Sequence, residues 1–269
     1  QWADGTPIYM YCWRGGMRSG SMAWLFRTAG LTTYLLSGGY KAYRNSFAQL
    51  LEAHPWQLLI LGGPTGCGKT EVLHQLKRMG QQVIDLEGLA HHKGSAFGSL
   101  GETAQPSTEQ FTNQLHALMR TFNPARPVWC EGESASIGKV VIPSAFYALM
   151  LSAPFLNLEI PYQERIRHIL NDYGTFQPDE LILSFRKIEK RLGGEATRKA
   201  IECVEQNNLE SAVCIALNYY DKGYRRSSGK QWPNQIPCLW EDSDPAVIAR
   251  KLLALYENGC NVGIEQVQQ

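Results

Sequence analysis

The stretch Gln57–Thr70, QLLILGGPTGCGKT, carries a near-continuous apolar run straight into a glycine-rich loop that ends in lysine and threonine. Apolar residues without polar alternation suit a parallel strand covered on both faces. Gly63-x4-Gly68-Lys69-Thr70 then matches the Walker A phosphate loop, and beyond it Val72, Leu73, Leu76 and Met79 recur at helical spacing before Gly80 closes the helix. Strand, loop and helix in that order predict a phosphate-binding βα unit in a parallel α/β sheet. Each residue type has a task. Glycines let backbone N–H groups converge on an anion, the helix N-terminus adds partial positive charge, Lys69 adds a point charge, and the Thr70 hydroxyl suits Mg²⁺. Gly63, Gly66, Gly68, Lys69 and Thr70 are therefore the phosphate-binding candidates.

Downstream, Val83–Asp85, Pro127–Glu133 (PVWCEGE) and Leu158–Ile160 read as further strands separated by helical segments. A second metal-holding carboxylate belongs at the end of a neighbouring strand. Asp85, Glu131 and Glu133 are the candidates, and Glu131 is favoured because largely apolar residues precede it. Thr70 and Glu131 are thus the expected Mg²⁺ ligands, with no structural metal expected. Arg165 and Arg167 follow the third of these strands, where a lid helix would bring them to the phosphates. The loop says phosphate rather than nucleotide, since no guanine-reading Asn/Thr-Lys-x-Asp follows it. His91, His92 and Lys93 sit in a Gly/Ser-containing loop suited to substrate contact. Beyond about residue 180 the pattern turns helical, with Leu181, Phe185, Ile188 and Leu192 on one face.

Upstream lies a second loop, YCWRGGMRS (Tyr11–Ser19), between a strand-like run at Ile8–Tyr11 and a helical pattern over Ser19–Thr28. Cys12-x5-Arg18 in that setting places amides, a helix N-terminus and arginine around a sulfur, which lowers the thiol pKa and favours the nucleophilic thiolate. Thr33–Leu36 reads as another strand, stopped by Gly38-Gly39. Residues 41–56 are mixed, and His54-Pro55 marks a boundary.

Composition narrows the classes. The 269 residues suffice for one large or two modest domains, and 44% apolar residues can fill ordinary cores. With 26 Lys and Arg against 25 Asp and Glu, no overall basic character argues for nucleic acid. A local one exists: Arg186, Lys187, Lys190, Arg191, Arg198, Lys199, Lys222, Arg225, Arg226 and Lys230 face six acidic residues between positions 186 and 230. With Tyr219, Tyr220 and Tyr224 that region suits an RNA backbone and a stacked base, and equally suits a solvated helix face. Arg186, Lys187, Lys190, Arg191, Arg225 and Arg226 are the RNA-binding candidates. Cys12, Cys67, Cys130, Cys203, Cys214, Cys238 and Cys260 are scattered and never spaced Cys-x2-Cys, which disfavours a disulfide framework and a zinc knuckle. No window reads as a membrane span or signal peptide, so a soluble, cytoplasmic protein is expected.

Two families place a thiol in a loop like that of Cys12: tyrosine-phosphatase-like enzymes and rhodaneses. YCWRGGMRS resembles the rhodanese Cys-Arg-x-Gly-x-Arg-Ser loop, with Trp13 inserted so that Arg14 falls one place later, and YLLSGGYKAY resembles the strand and Gly-Gly turn that follow it. A rhodanese loop ahead of a phosphate loop, with DLEGLAHHKGSAFG and EGESASIGKVVIP beyond, resembles the bacterial tRNA 2-selenouridine synthase family over essentially the whole chain. The resemblance implies an α/β chain with two parts. Residues 1–50 would be the C-terminal part of a rhodanese-like domain whose N-terminal part is missing. Residues 56–269 would be a P-loop NTPase-like parallel-sheet domain with a helical region from about residue 180.

It also implies a transferase that geranylates the sulfur of 2-thiouridine at the tRNA wobble position and then exchanges it for selenium. Geranyl diphosphate would sit in the P-loop. Cys12 would carry selenium from selenophosphate as a selenylsulfide, with Arg14 and Arg18 holding the anion. The partners implied are tRNA and a selenophosphate-supplying enzyme. Phe97 and the run Phe146–Leu151 are read first as core packing, with a prenyl channel as the alternative. The competing expectations are a P-loop kinase or ATPase with a vestigial rhodanese regulatory segment, and a simple sulfurtransferase.

Overall fold

The computed structural model describes residues 5–232 and 235–257, apart from the side chains of residues 227, 228 and 230. Cys260 and the Lys230 side chain lie outside the described residues. The chain divides between Pro55 and Trp56 into two compact units.

The first unit holds β1 (Ile8–Met10), α1 (Met17–Thr28), β2 (Thr33–Leu35) and α2 (Gly39–Glu52). β1 and β2 pair in parallel, Ile8 opposite Thr33 and Met10 opposite Leu35. Arg27 fastens α1 to β2, donating from Nε to Thr33 Oγ1 at 2.8 Å and from Nη2 to Thr33 O at 2.9 Å. The mixed segment after Gly39 is in fact a helix: Tyr40, Tyr43, Phe47 and Leu50 recur at helical spacing, and Phe47 is buried. Two of the four being tyrosine hid the stripe from a hydrophobicity reading.

The second unit is built on a five-stranded sheet. Its elements are β3 (Leu58–Gly62), α3 (Lys69–Arg78), β4 (Gln82–Ile84), α4 (Leu86–Ala90), α5 (Thr108–Met119), β5 (Val128–Glu131), the hairpin β6 (Ser136–Ile137) and β7 (Val140–Val141), and α6 (Ser144–Ser152). There follow β8 (Phe155–Glu159), α7 (Tyr162–Tyr173), α8 (Pro178–Leu192), α9 (Gly194–Glu205), α10 (Leu209–Gln231), β9 (Gln235–Leu239) and α11 (Pro245–Glu257). The sheet order is β4-β5-β3-β8-β9, parallel throughout. β3 and β5 are buried along their whole length, as the apolar run of β3 and the apolar residues ahead of Glu131 in β5 require.

One core packs α3 and α11 on the sheet through Leu59, Leu61, Leu73, Leu76, Trp129, Ile248 and Leu252. A second joins Phe97 and Leu100 to α8, α9 and α10 through Phe185, Ile188, Ala200 and Val204. The C-terminal region is not helical throughout, as its sequence suggested, because the chain returns to the sheet as β9. Pro237 argues against a strand, yet among the described residues β9 pairs only with β8 and lies at the sheet edge, where a residue without an N–H costs little. Among the described residues no helix is long and apolar enough to cross a membrane.

Candidate functional site

The phosphate loop connects β3 to α3. Gly63, Gly66 and Gly68 have φ of 145°, 82° and 75°, values that side chains other than glycine rarely adopt. Space demands glycine as well: a Cβ at Gly63 would stand 2.4 Å from the Leu158 carbonyl oxygen, and one at Gly66 2.8 Å from that of Arg165. Lys69 folds back over the loop, its Nζ donating to Gly63 O at 3.1 Å. Burial opposes its charge, but Cys67, Glu87 and Glu133 around it more than compensate and hold its pKa above the ordinary lysine range.

Thr70 Oγ1 lies 3.2 Å from Glu131 Oε1 and 3.3 Å from Glu87 Oε2. Glu131 is fully buried, and its second oxygen accepts the Glu87 N–H at 2.9 Å. Burial, then repulsion from Glu133, pushes the Glu87 carboxyl up to about 8, and burial, then repulsion from Glu87, raises Glu131 well above the carboxylate range. Glu133 is also raised, by burial, against the pull of Lys69. A divalent cation among these oxygens would relieve the repulsion. Among the described residues no group of three or more His, Cys, Asp or Glu could hold a metal alone. A hydroxyl and one or two carboxylates completed by substrate phosphate suit Mg²⁺, so Thr70 and Glu131 fit that ion. Glu87 is the oxygen donor that the sequence did not single out, because only the fold brings α4 against the end of β5.

The loop opens into a cavity of about 1510 Å³. Lys69, Thr70 and Glu133 line one part, and Phe97, Leu181, Phe185, Val204, Ala212 and Ala216 an apolar wall. Phe97 both lines the cavity and packs in the core. The run Phe146–Leu151 does not line the cavity: Phe146 and Met150 are fully buried core residues, because α6 turns its apolar face onto the sheet. Lys93 reaches the cavity with its ammonium 5.3 Å from the Tyr173 ring centroid. His91 is held by Thr103, 2.8 Å away, and burial lowers the pKa of His92.

The arginines expected at the phosphates are otherwise engaged. Arg165 is buried, pairs with Asp221 and donates from Nε to Thr65 O at 2.8 Å, so it meets the loop through its backbone. Arg167 is exposed and paired with Glu164 at 2.9 Å, away from the cavity lining. His168, unremarked in the sequence, does line the cavity, its Nδ1 3.0 Å from Gly66 O. Arg186, Lys187, Lys190, Arg191, Arg225 and Arg226 are all exposed on α8 and α10, and Arg191 and Arg226 reach the cavity lining.

In the first unit, Cys12 follows β1 and lies ahead of the N-terminus of α1. Its Sγ accepts the Gly16 N–H and the Ser19 hydroxyl, each at 3.2 Å. These donors depress the thiol pKa to about 6, the Ser19 hydroxyl first, then the Ser19 amide, with the Gly16 and Arg14 amides adding to it. Ser19 is therefore the main stabiliser, where the sequence pointed to amides and arginine. Arg14 and Arg18 are exposed, with no salt bridge among the described residues. The loop is keyed to the second Gly-Gly turn: Tyr40 N–H donates to Cys12 O at 3.0 Å, and a Cβ on Gly39 would meet Gly15 N at 2.2 Å.

Residues 56–236 match the family model described as the tRNA 2-selenouridine synthase AAA domain. The tRNA 2-selenouridine synthase of Shewanella loihica is 34% identical over 262 residues, 85% of this chain and 69% of that protein. That of Marinobacter nauticus is 34% identical over 249 residues, 80% of this chain and 66% of that protein. The chain thus spans about two thirds of the length of these relatives. Shikimate kinase from Acinetobacter baumannii in complex with shikimate aligns with 78% of this chain and 98% of its own, at 15% identity and a TM-score of 0.39.

Proposed function

The chain belongs to the tRNA 2-selenouridine synthase family, and from that premise we propose that it exchanges the 2-thio sulfur of a tRNA wobble uridine for selenium, by way of a geranylated intermediate. The observation that carries the reading is one cavity with an anion cradle at one part and an apolar wall at another. That pairing suits an isoprenoid diphosphate, whose charged head and hydrocarbon tail need opposite surroundings in one ligand.

In the first step the thiocarbonyl sulfur attacks the prenyl C1. A C–S bond forms, the C–O bond to the diphosphate breaks, and pyrophosphate leaves with the electron pair while the N3 proton of the base passes to water. Lys69 and the amides of the loop take up the charge that develops on the leaving oxygens, where preorganised donors matter most. Phe97, Leu181 and Phe185 hold the chain and keep water from the reacting carbon. Thr70 and Glu131 would hold Mg²⁺, which when bound supplies further positive charge to the diphosphate.

Alkylation makes the sulfur a thiolate-type leaving group, so in the second step the selenium of selenophosphate attacks C2, geranylthiolate leaves with the electron pair of the C–S bond, and water then takes the phosphoryl group as phosphate, breaking the P–Se bond. The low-pKa Cys12 is assigned to this selenation step, with Arg14 and Arg18 holding the selenophosphate anion and a selenophosphate-forming enzyme supplying it. Arg186, Lys187, Lys190, Arg191, Arg225 and Arg226 are assigned to the tRNA backbone, an interaction that weakens steeply with salt. The test is to incubate 2-thiouridine-containing tRNA with the protein, geranyl diphosphate and selenophosphate, and to identify the nucleosides by mass spectrometry. Selenouridine that forms only when both donors are present supports the reading. Hydrolysis of a nucleoside triphosphate with no change in the tRNA assigns the loop to an ATPase instead.

A further inference from the structure

Helix α7 lies directly against the phosphate loop, so close that a Cβ on Gly66 would meet both Arg165 O, at 2.8 Å, and Ile169 Cδ1, at 2.9 Å. From that helix two side chains reach two successive carbonyls of the loop. Arg165 Nε donates to Thr65 O at 2.8 Å, and His168 Nδ1 lies 3.0 Å from Gly66 O. A carbonyl oxygen only accepts, so His168 carries its proton on Nδ1. Arg165 is itself clamped by Asp221 of α10, one guanidinium nitrogen at 3.0 Å, with the two side chains only 8% and 17% exposed. The Tyr162 ring lies 5.7 Å from the guanidinium carbon.

A trans peptide is planar, with its C=O and the next N–H pointing in opposite directions. Holding Thr65 O on Arg165 therefore turns the Gly66 N–H the other way, and holding Gly66 O on His168 does the same for the Cys67 N–H. The Cys67 amide makes a long 3.3 Å turn bond to Pro64 O. Glycine at position 66 leaves that backbone free to flip, because its φ of 82° carries no side-chain preference of its own. The restraint has to come from outside the loop, and α7 is where it comes from.

We infer that Arg165 and His168, with Asp221 behind Arg165, are positioning residues that set the anion affinity of the phosphate loop by pinning its Thr65 and Gly66 carbonyls away from the ligand. The inference rests on the reading of the loop as a pyrophosphate cradle. It differs from a lid arginine, which would touch the phosphates directly.

The test is calorimetric titration of the whole chain with inorganic pyrophosphate. Asparagine places an amide N–H near the Nδ1 position of histidine, whereas glutamine places one near Nε2. His168→Asn is therefore expected to bind within about twofold of wild type, and His168→Gln about tenfold more weakly, the size of one lost hydrogen bond. Arg165→Lys keeps the charge against Asp221 but cannot also reach Thr65 O, and is expected to bind about tenfold more weakly as well. A merely structural strap predicts instead that affinity follows melting temperature and that Asn and Gln at position 168 behave alike. Either that pattern, or wild-type affinity in both His168→Gln and Arg165→Lys, overturns the inference. No pyrophosphate binding by the wild type overturns the cradle reading and the inference with it, an outcome distinct from tight binding that the variants leave unchanged.

Discussion

Ser19→Ala removes the largest contributor to the low pKa of Cys12, together with the 3.2 Å contact of the same hydroxyl with Gly16 O. With the thiol titrating at about 6, the wild type is roughly 90% thiolate at pH 7. An ordinary cysteine near 8.5 is only about 3% thiolate there. Full reversion would thus cost about thirtyfold in thiolate, and Ser19→Ala is expected to cost part of that, because the Ser19, Gly16 and Arg14 amides still donate. The sign follows from the direction of the shift: the thiolate is present above the folded pKa and is lost as pH falls through it, and the substitution moves that midpoint upward. The assay is the pH dependence of iodoacetamide alkylation, read on the Cys12 peptide by mass spectrometry so that the other cysteines do not interfere. A wild-type midpoint at 8 or above, or a midpoint unmoved by Ser19→Ala, refutes the argument that the loop donors create the thiolate.

Gly63→Ala forces a Cβ to 2.4 Å from the Leu158 carbonyl at a φ of 145° and is expected to cost at least about 1–3 kcal/mol, lowering Tm by several degrees in thermal unfolding. Ala216→Phe narrows the apolar wall and is expected to raise KM for geranyl diphosphate about tenfold or more while leaving inorganic pyrophosphate affinity unchanged; equal losses for both ligands would place the hydrocarbon elsewhere. Chelation with EDTA is expected to slow geranyl transfer, with Mg²⁺ restoring the wild type but not Glu131→Gln, whose carboxamide keeps the shape and loses the charge beside Thr70. Full activity in EDTA would remove the metal from the account.

What the sequence revealed was local. The apolar strand at Leu58–Gly62, the glycine loop and α3 are consecutive in the chain, so periodicity and residue type suffice to read them. The parallel sheet followed from three more short apolar runs. β9 escaped because proline argues against a strand unless the strand lies at an edge, and edge position is a property of the assembled sheet. The site divides in the same way. Lys69 and Thr70 belong to a contiguous motif, whereas Glu87 meets Thr70 only because α4 is docked on the end of β5. Arg165 looked free to reach phosphate because its partner Asp221 lies on another helix far along the chain. Phe97 and Phe146 are indistinguishable as letters, and only the direction each faces brings Phe97 to the cavity wall as well as a core and leaves Phe146 in the core alone.

The central claim is a division of labour, with prenyl transfer at the phosphate loop and a selenation that depends on Cys12. The most direct measurement is the nucleoside content of 2-thiouridine tRNA after incubation with geranyl diphosphate, selenophosphate and each of two variants. Cys12→Ser is predicted to accumulate the S-geranyl nucleoside and make no selenouridine, and Lys69→Ala to leave 2-thiouridine unaltered. Selenouridine formed at the wild-type rate by either variant would contradict the account.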